Sequence, residues 1–236
     1  MNFFNSLIQD TLALTDNLPQ KKYSFDKNGG WNDLGCNQVI LQRDSAYEIS
    51  GTGFNLVTSE RVDDEIIVCG EDLSEIKGDR PFARISVIEI DSEDDEQKAY
   101  NLIRKIEYVK YHFFPEGYMI RTSTNAQKEA VRVAKSAIRK GIDFYKVGNL
   151  LINKYKEIPQ VKGVKVFFVT STEADYFRFS EIAEKGNTIT KALNHIMSTV
   201  NFDCDSCNLK PVCDEVEGMR ELHFKSGMAM KGRSDE

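Results

Sequence analysis

Residues 141–171 read GIDFYKVGNLLINKYKEIPQVKGVKVFFVTS and predict a helix followed by a strand. Asp143 is a candidate N-cap, because its carboxylate can accept a hydrogen bond from a free backbone N–H of the first turn. Pro159 restricts the residue before it, so we expect the helix to end there. The run 161–171 is rich in Val and Phe and is the strongest predicted strand of the chain. This stretch predicts alternating helices and strands.

Upstream, the first half of the chain is rich in β-forming residues. Five short runs of Val, Ile, Phe and Tyr are separated by turn-like residues such as Gly51 and Gly53. Their spacing predicts an antiparallel meander. The predicted strands cover residues 38–44, 46–51, 54–60, 65–71 and 82–90.

The second half continues the alternation. We expect a helix over 94–113, a strand over 117–124, and a helix from the N-cap Asn125 to Gly141. Residues 173–200 predict a further helix, broken or kinked near Gly186 and Asn187. The expected fold class is α+β, with an antiparallel β-rich N-terminal half followed by alternating helices and strands. We expect one domain over 1–198 and a cysteine-bearing segment over 199–236.

Composition excludes several classes of protein. With 41% hydrophobic residues in 236, the chain can bury a full core. A net charge of −6 argues against a nucleic-acid partner, since phosphate backbones need a basic face. No run approaches the roughly 18 apolar residues of a membrane helix. The N-terminus lacks the basic region of a signal peptide, and five cysteines without such a signal indicate the reducing cytoplasm.

The most informative chemical motif is a set of three cysteines near the C-terminus. Cys204, Cys207 and Cys213 have the spacing C-x2-C-x5-C, which lets several thiolates reach one metal centre. We expect an iron–sulfur cluster of the [4Fe–4S] type, which usually takes four cysteine ligands. Its fourth ligand is open: His223, Cys36, Cys69, an exogenous ligand or a partner chain.

Two other interpretations of this motif remain open. Zinc is the alternative metal, because Cys204, Cys207, Cys213 and His223 form a possible Cys3His set. The chain would then be a non-enzymatic binding module stabilised by zinc. The third interpretation is three reduced thiols without a metal.

A second candidate site is cationic. Arg121 lies in an apolar strand, where a guanidinium needs an anionic partner or a route to solvent. The helix expected after Asn125 would present a basic face that can meet an acidic partner or the phosphates of a coenzyme. That face comprises Lys128, Arg132, Lys135, Arg139 and Lys140. We find no P-loop, nucleophile elbow or H-E-x-x-H motif, so no catalytic residue is assigned.

Residues of roughly 35–175 resemble the β subunit of the carbon monoxide dehydrogenase/acetyl-CoA synthase complex. The resemblance lies in a strand ending in Arg-x-Ser (Arg121 to Ser123), then the pattern G-x-(S/D)-F-x-x-(I/V)-G-x-x-L-I over 141–152. A strand of the type V-x-V-x-(I/F)-x-T follows over 164–170.

The resemblance implies a function. That family's β subunit joins a methyl group, carbon monoxide and coenzyme A at a nickel site bridged to a [4Fe–4S] cluster in a later domain. This chain contains no Cys-x-Cys pair, so the resemblance is to the middle domain, which is implied to contribute to coenzyme A binding. Arg121 is the residue implied to bind the coenzyme.

The implied role is that of an accessory or electron-transfer protein of anaerobic one-carbon metabolism. The implied partners are subunits of the carbon monoxide dehydrogenase/acetyl-CoA synthase complex or of a corrinoid methyltransferase system. Neither a nucleic acid nor a membrane is an expected partner. Whether the chain is itself catalytic is left open by the sequence.

Overall fold

The structure, a computed structural model, describes residues 3–35, 38–91, 96–123, 127–197 and 210–216. The described strands are β1 (Gln20–Ser24), β2 (Ser45–Thr58), β3 (Glu65–Cys69), β4 (Arg80–Ile90), β5 (Tyr118–Ser123), β6 (Lys128–Ala134) and β7 (Val161–Val169). The described helices are α1 (Asn5–Asp16), α2 (Glu96–Tyr108), α3 (Lys135–Arg139), α4 (Phe144–Lys156), α5 (Tyr176–Met197) and α6 (Lys210–Glu215). The combination of helices and strands that the sequence predicts is confirmed.

The seven described strands form one mixed sheet in the order β1-β3-β7-β4-β2-β6-β5. β2 pairs with β4 in parallel, as does β3 with β7, and the other neighbouring strands are antiparallel. A parallel pair needs a crossover connection instead of a tight turn. The expected antiparallel meander of consecutive strands is therefore wrong.

Helices cover both faces of the sheet. Phe82 of β4 stacks on Phe144 of α4 with ring centroids 6.1 Å apart. Side chains alternate between the faces of a strand, so Val87, further along β4, lies on the face opposite to Phe82. Its neighbour on β2 is Leu56, which packs near Gly186 of α5. Because both faces are covered, central strands such as β4 are buried along nearly their whole length.

The stretch 141–171 folds as predicted. Asp143 caps α4 by accepting a hydrogen bond from the backbone N–H of Lys146 at 2.7 Å. Asp72, after β3, accepts a second one from the backbone N–H of Phe144 at 2.8 Å and so ties the start of α4 to the sheet. Burial raises the pKa of Asp72 above its usual value. The helix ends before Pro159, and β7 follows.

The helix expected between Asn125 and Gly141 is wrong over most of its length. Residues 128–134 form β6, and only Lys135–Arg139 are helical. Val131 and Val133 are both fully buried, which is the two-residue period of a strand. The expected basic helix face therefore does not form, since Lys128 and Arg132 belong to a strand. Asn125 lies outside the described residues.

Four further features of the secondary structure differ from expectation. Residues 38–44 contain a short 3-10 turn at Gln42–Asp44 in place of a strand, and β1 was not predicted. β2 is one continuous strand through Gly51 and Gly53, where we expected a turn. These glycines instead allow neighbouring atoms to approach the strand closely. A Cβ at Gly53 would overlap the Glu129 carboxylate. α5 also runs unbroken through Gly186.

The short helix α6 lies within the C-terminal segment. Val212 and Val216 of this region pack against the main hydrophobic core, and α6 contacts α5. Cys213 belongs to α6, whereas Cys204, Cys207 and His223 lie outside the described residues. Across the described part of the chain, the helices are too short or too polar to cross a bilayer.

Candidate functional site

A cleft of about 780 Å³ lies between α5 and one end of the sheet. We call it the basic cleft and define it by its lining residues. The strands β2, β5 and β6 and the residue before β6 supply Ser50, Gly51, Thr52, Arg121, Thr122, Ser123, Gln127, Lys128, Glu129 and Ala130. α5 supplies Ser180, Glu184, Asn187, Thr188 and Lys191.

Three cations border this cleft from both of its walls. Arg121 pairs with Ala130 in the β5–β6 ladder, and Lys128 is two residues from Ala130, so both side chains project from the same face. Lys191 belongs to α5 on the facing wall. All three are exposed, and none of them forms an ion pair with another described residue. Cations without a carboxylate partner are available to an anionic ligand.

Beside the basic cleft lies a second space of about 160 Å³, which we call the inner cavity. Gln127 and Asn187 line both spaces, so the two adjoin at these residues. The inner cavity is partly open to solvent and is bordered chiefly by α2, the residues just after it, and α5, beside β2. Its other lining residues are Phe54, Asn55, Arg104, Glu107, Tyr108, Lys110, Tyr111, Ala183, Gly186 and Thr190.

A buried ion pair supports the floor of the basic cleft. Arg84 donates from Nε and Nη2 to the Glu129 carboxylate at 2.9 Å, and both side chains are almost fully buried. Burial is the largest single influence on the pKa of the Arg84 guanidinium and lowers it, but Glu129, Tyr155 and Glu107 together raise it more, so the pKa lies above its usual value. Gly53 leaves the space that this carboxylate occupies.

The remaining polar atoms around Arg84 are also satisfied. Its Nη1 donates to Ser86 Oγ at 3.0 Å and to Asn55 Oδ1 at 3.2 Å. The Tyr155 hydroxyl of α4 donates to the same Asn55 oxygen at 2.7 Å. Asn55 in turn donates to Glu107 of α2 at 3.0 Å. A fully paired buried network of this kind fixes the relative positions of its side chains.

Gln127 is held at the junction of the two spaces. Its φ of 46° is left-handed, a conformation that residues other than Gly rarely adopt. Its carbonyl accepts hydrogen bonds from the Gly53 N–H and the Thr52 hydroxyl, both at 2.9 Å. Its side-chain oxygen accepts one from Lys110 at 3.3 Å, and Lys110 also pairs with Glu107 at 3.1 Å. These contacts join α2 to the start of β6.

The structure brings together only some of the residues singled out from the sequence. Arg121 and Lys128 line the basic cleft, whereas Arg132 pairs with Glu48 at 3.2 Å and does not line it. Coenzyme binding at Arg121 remains a prediction. Sequence reasoning missed Lys191 and the Arg84–Glu129 pair. A charged residue inside the apolar run FARISVIEI was the available signal for a buried ion pair.

The expected metal ligands fall mostly outside the described residues. Cys36, Cys204, Cys207 and His223 belong to the undescribed segments. Cys69 is fully buried in the core, and burial raises the pKa of its thiol to about 12. Within the described ranges, no group of three or more His, Cys, Asp and Glu side chains is placed to hold a metal.

Comparison with known families identifies a relationship for most of the sheet. A model of the CO dehydrogenase/acetyl-CoA synthase complex beta subunit matches residues 38–174, more than half of the chain. The matched region runs from before β2 to the end of β7 and includes Arg121 and the Arg84–Glu129 pair. It ends before α5, the second wall of the basic cleft. No curated protein matches the chain.

Proposed function

We propose a function from one premise: the chain belongs to the CO dehydrogenase/acetyl-CoA synthase complex beta subunit family. Membership supports a role related to acetyl-CoA synthase. Within that role, the proposed function is that of an accessory protein of anaerobic one-carbon metabolism that binds coenzyme A in the basic cleft. Its proposed setting is the reducing cytoplasm, with subunits of a CO dehydrogenase/acetyl-CoA synthase complex or of a corrinoid methyltransferase system as partners.

The observation that carries coenzyme binding is the set of unpaired cations on the two walls of the basic cleft. Arg121 offers a planar fork that can bind two phosphate oxygens at once, and Lys128 and Lys191 add point charges. Hydroxyls of Ser50 and Ser123 line the same space and can donate to phosphate. Coenzyme A carries several phosphate groups, so its charge complements this lining.

Calorimetric titration with coenzyme A tests this proposal. We expect Arg121→Ala to weaken binding by about 10- to 100-fold, because a hydrogen bond to a charged group contributes roughly 1.5–3 kcal/mol. Arg139→Ala is the matched control: Arg139 is also exposed, without an ion pair among the described residues, and does not line the cleft. Equal affinity of both variants would remove Arg121 from the site.

For the C-terminal segment we propose an iron–sulfur cluster held by Cys204, Cys207 and Cys213. The donor set supports this, since three thiols at this spacing suit a cluster. The packing of Val212 and Val216 against the core also supports it, because it anchors the Cys213 helix to the body of the protein. When bound, such a cluster would supply electron transfer. The alternative is a zinc site completed by His223, which would make the segment a structural clip.

Purification without oxygen, followed by iron, sulfide and zinc analysis and electron-resonance spectroscopy, tests the cysteine segment. We expect a coloured protein containing iron and sulfide, and a Cys204→Ser/Cys207→Ser/Cys213→Ser variant that contains neither. Zinc in place of iron, lost on His223→Ala substitution, would establish the alternative. Metal-free wild-type protein that gains no iron on reconstitution would contradict both.

A further inference from the structure

The side chains around the inner cavity divide into those that are already paired within the protein and those that are not. Most of its lining residues are polar or charged, and the apolar ones include only Phe54, Ala183 and Gly186. Glu107 is occupied by Lys110 and Asn55, so its charge is compensated within the protein. The groups left to a ligand therefore include two amides, a guanidinium, the Tyr108 ring and the buried Tyr111 hydroxyl, which has no hydrogen-bond partner among the described residues.

The amides lie where the two spaces adjoin. The side chain of Asn187 forms no hydrogen bond with another described residue, and Gln127 uses only its oxygen, toward Lys110. A carboxamide presents a donor and an acceptor side by side, the pattern that pairs with the edge of adenine. Because both residues also line the basic cleft, one ligand can contact the two spaces together.

Two side chains of α2 supply planar surfaces. Tyr108 is 59% exposed although it lines the cavity, and its ring is supported by His112, with centroids 4.4 Å apart. Arg104 lines the same cavity and makes no ion pair within the described part of the chain. Tyrosine rings and guanidinium planes are common stacking surfaces for nucleobases.

We propose that the inner cavity is a purine-base subsite, with Tyr108 as its stacking surface and the Asn187 and Gln127 amides as its edge contacts. The ligand of the whole site is then an adenine nucleotide derivative whose phosphates lie against Arg121, Lys128 and Lys191 in the basic cleft. This inference rests on the proposed binding of coenzyme A, because it places the adenosine half of that molecule at the α2 end and its pantetheine arm elsewhere.

Calorimetric titrations of the full chain with coenzyme A, adenosine 3′,5′-bisphosphate and 4′-phosphopantetheine test the proposal. We expect Tyr108→Ala to weaken coenzyme A and adenosine bisphosphate by about tenfold, as loss of one stacking contact does. Phosphopantetheine, which has no base, should bind both proteins equally. Tyr108→Trp should restore the affinity. Phe177→Ala is the control, since Phe177 is an even more exposed aromatic residue, at 72%, and lies outside both spaces.

The outcomes separate this inference from the proposed function. In one outcome, coenzyme A binds, Arg121→Ala lowers its affinity, and Tyr108→Ala and Asn187→Ala leave the affinity unchanged. The base subsite is then wrong, and the coenzyme A site in the basic cleft stands. If coenzyme A does not bind but adenosine bisphosphate does, with sensitivity to Tyr108, the subsite stands and the coenzyme assignment fails. Absence of binding by any adenine nucleotide overturns the subsite.

Discussion

The buried guanidinium of Arg84 depends on a few neighbouring residues. Its Nε and Nη2 both donate hydrogen bonds to the Glu129 carboxylate, and Gly53 leaves room for that carboxylate. Removing water from both charges is costly, and their pairing offsets that cost only while both are present. The pair therefore gives the cleft floor a defined geometry, and each partner alone would destabilise the fold.

At this scale we predict that Arg84→Met lowers the free energy of unfolding by about 3–5 kcal/mol, because it leaves the Glu129 carboxylate buried without a partner. The double variant Arg84→Met/Glu129→Leu should recover part of this loss, since no buried charge then remains. Urea denaturation followed by circular dichroism measures both. A double variant no more stable than the single one would show that packing, and not the unpaired charge, caused the loss.

Two of the described helices contain an interior glycine, and the two glycines differ in what surrounds them. Gly148 of α4 lies against β3, where an added Cβ would come within 2.7 Å of Ile66 Cγ1. Gly186 of α5 has room, since the nearest atoms to an added Cβ are at 3.8 and 3.9 Å. The first glycine permits close helix–sheet packing, whereas the second is not required by contact distance.

We therefore expect Gly186→Ala to stabilise the protein by about 0.5–1 kcal/mol, the usual gain from replacing a glycine inside a helix. Gly148→Ala is the matched comparison and should destabilise it by about 1–3 kcal/mol through overpacking. Thermal unfolding of the two variants measures both effects. A destabilised Gly186→Ala protein would mean that α5 needs this glycine for a reason other than helix packing.

At the scale of the whole molecule, we expect the fold of the core not to depend on metal binding by the cysteine segment. The sheet has helices on both faces, and from the described part of the C-terminal segment only Val212 and Val216 add to the core, both partly buried. The triple serine variant proposed above should therefore keep the far-ultraviolet circular dichroism of the wild type while losing its metal. Loss of that spectrum would show that the metal holds the whole fold together.

The basic cleft also belongs to this scale. Its strand wall lies in the part of the chain that matches the family, and its helical wall, α5, lies beyond that part. The chain carries a net charge of −6, yet three cations without an ion pair among the described residues, Arg121, Lys128 and Lys191, line this cleft. Local placement of charge, and not the overall balance, makes the site suitable for an anion.

The sequence by itself determined the elements with strong local signals. Asp143 and Pro159 bound α4, and the apolar run of β7 was evident, because caps, breakers and side-chain period act over a few residues. The family pattern and Arg121 as a candidate ligand-binding residue also came from the sequence. The cysteine motif was equally visible there and remains a prediction.

Only the tertiary structure decided the remainder. Residues 128–134 contain good helix formers, but pairing with β2 makes them a strand, since tertiary hydrogen bonds outweigh weak local propensity. From the sequence, Gly53 was predicted to be a turn residue. Its actual role is to leave space for the Glu129 carboxylate, which belongs to a different strand and so gives no local signal. Arg121 and Lys191 are 70 positions apart in the sequence and share a cleft because β5 and α5 meet in space. Long-range contacts of this kind follow from sheet order, which no local pattern encodes.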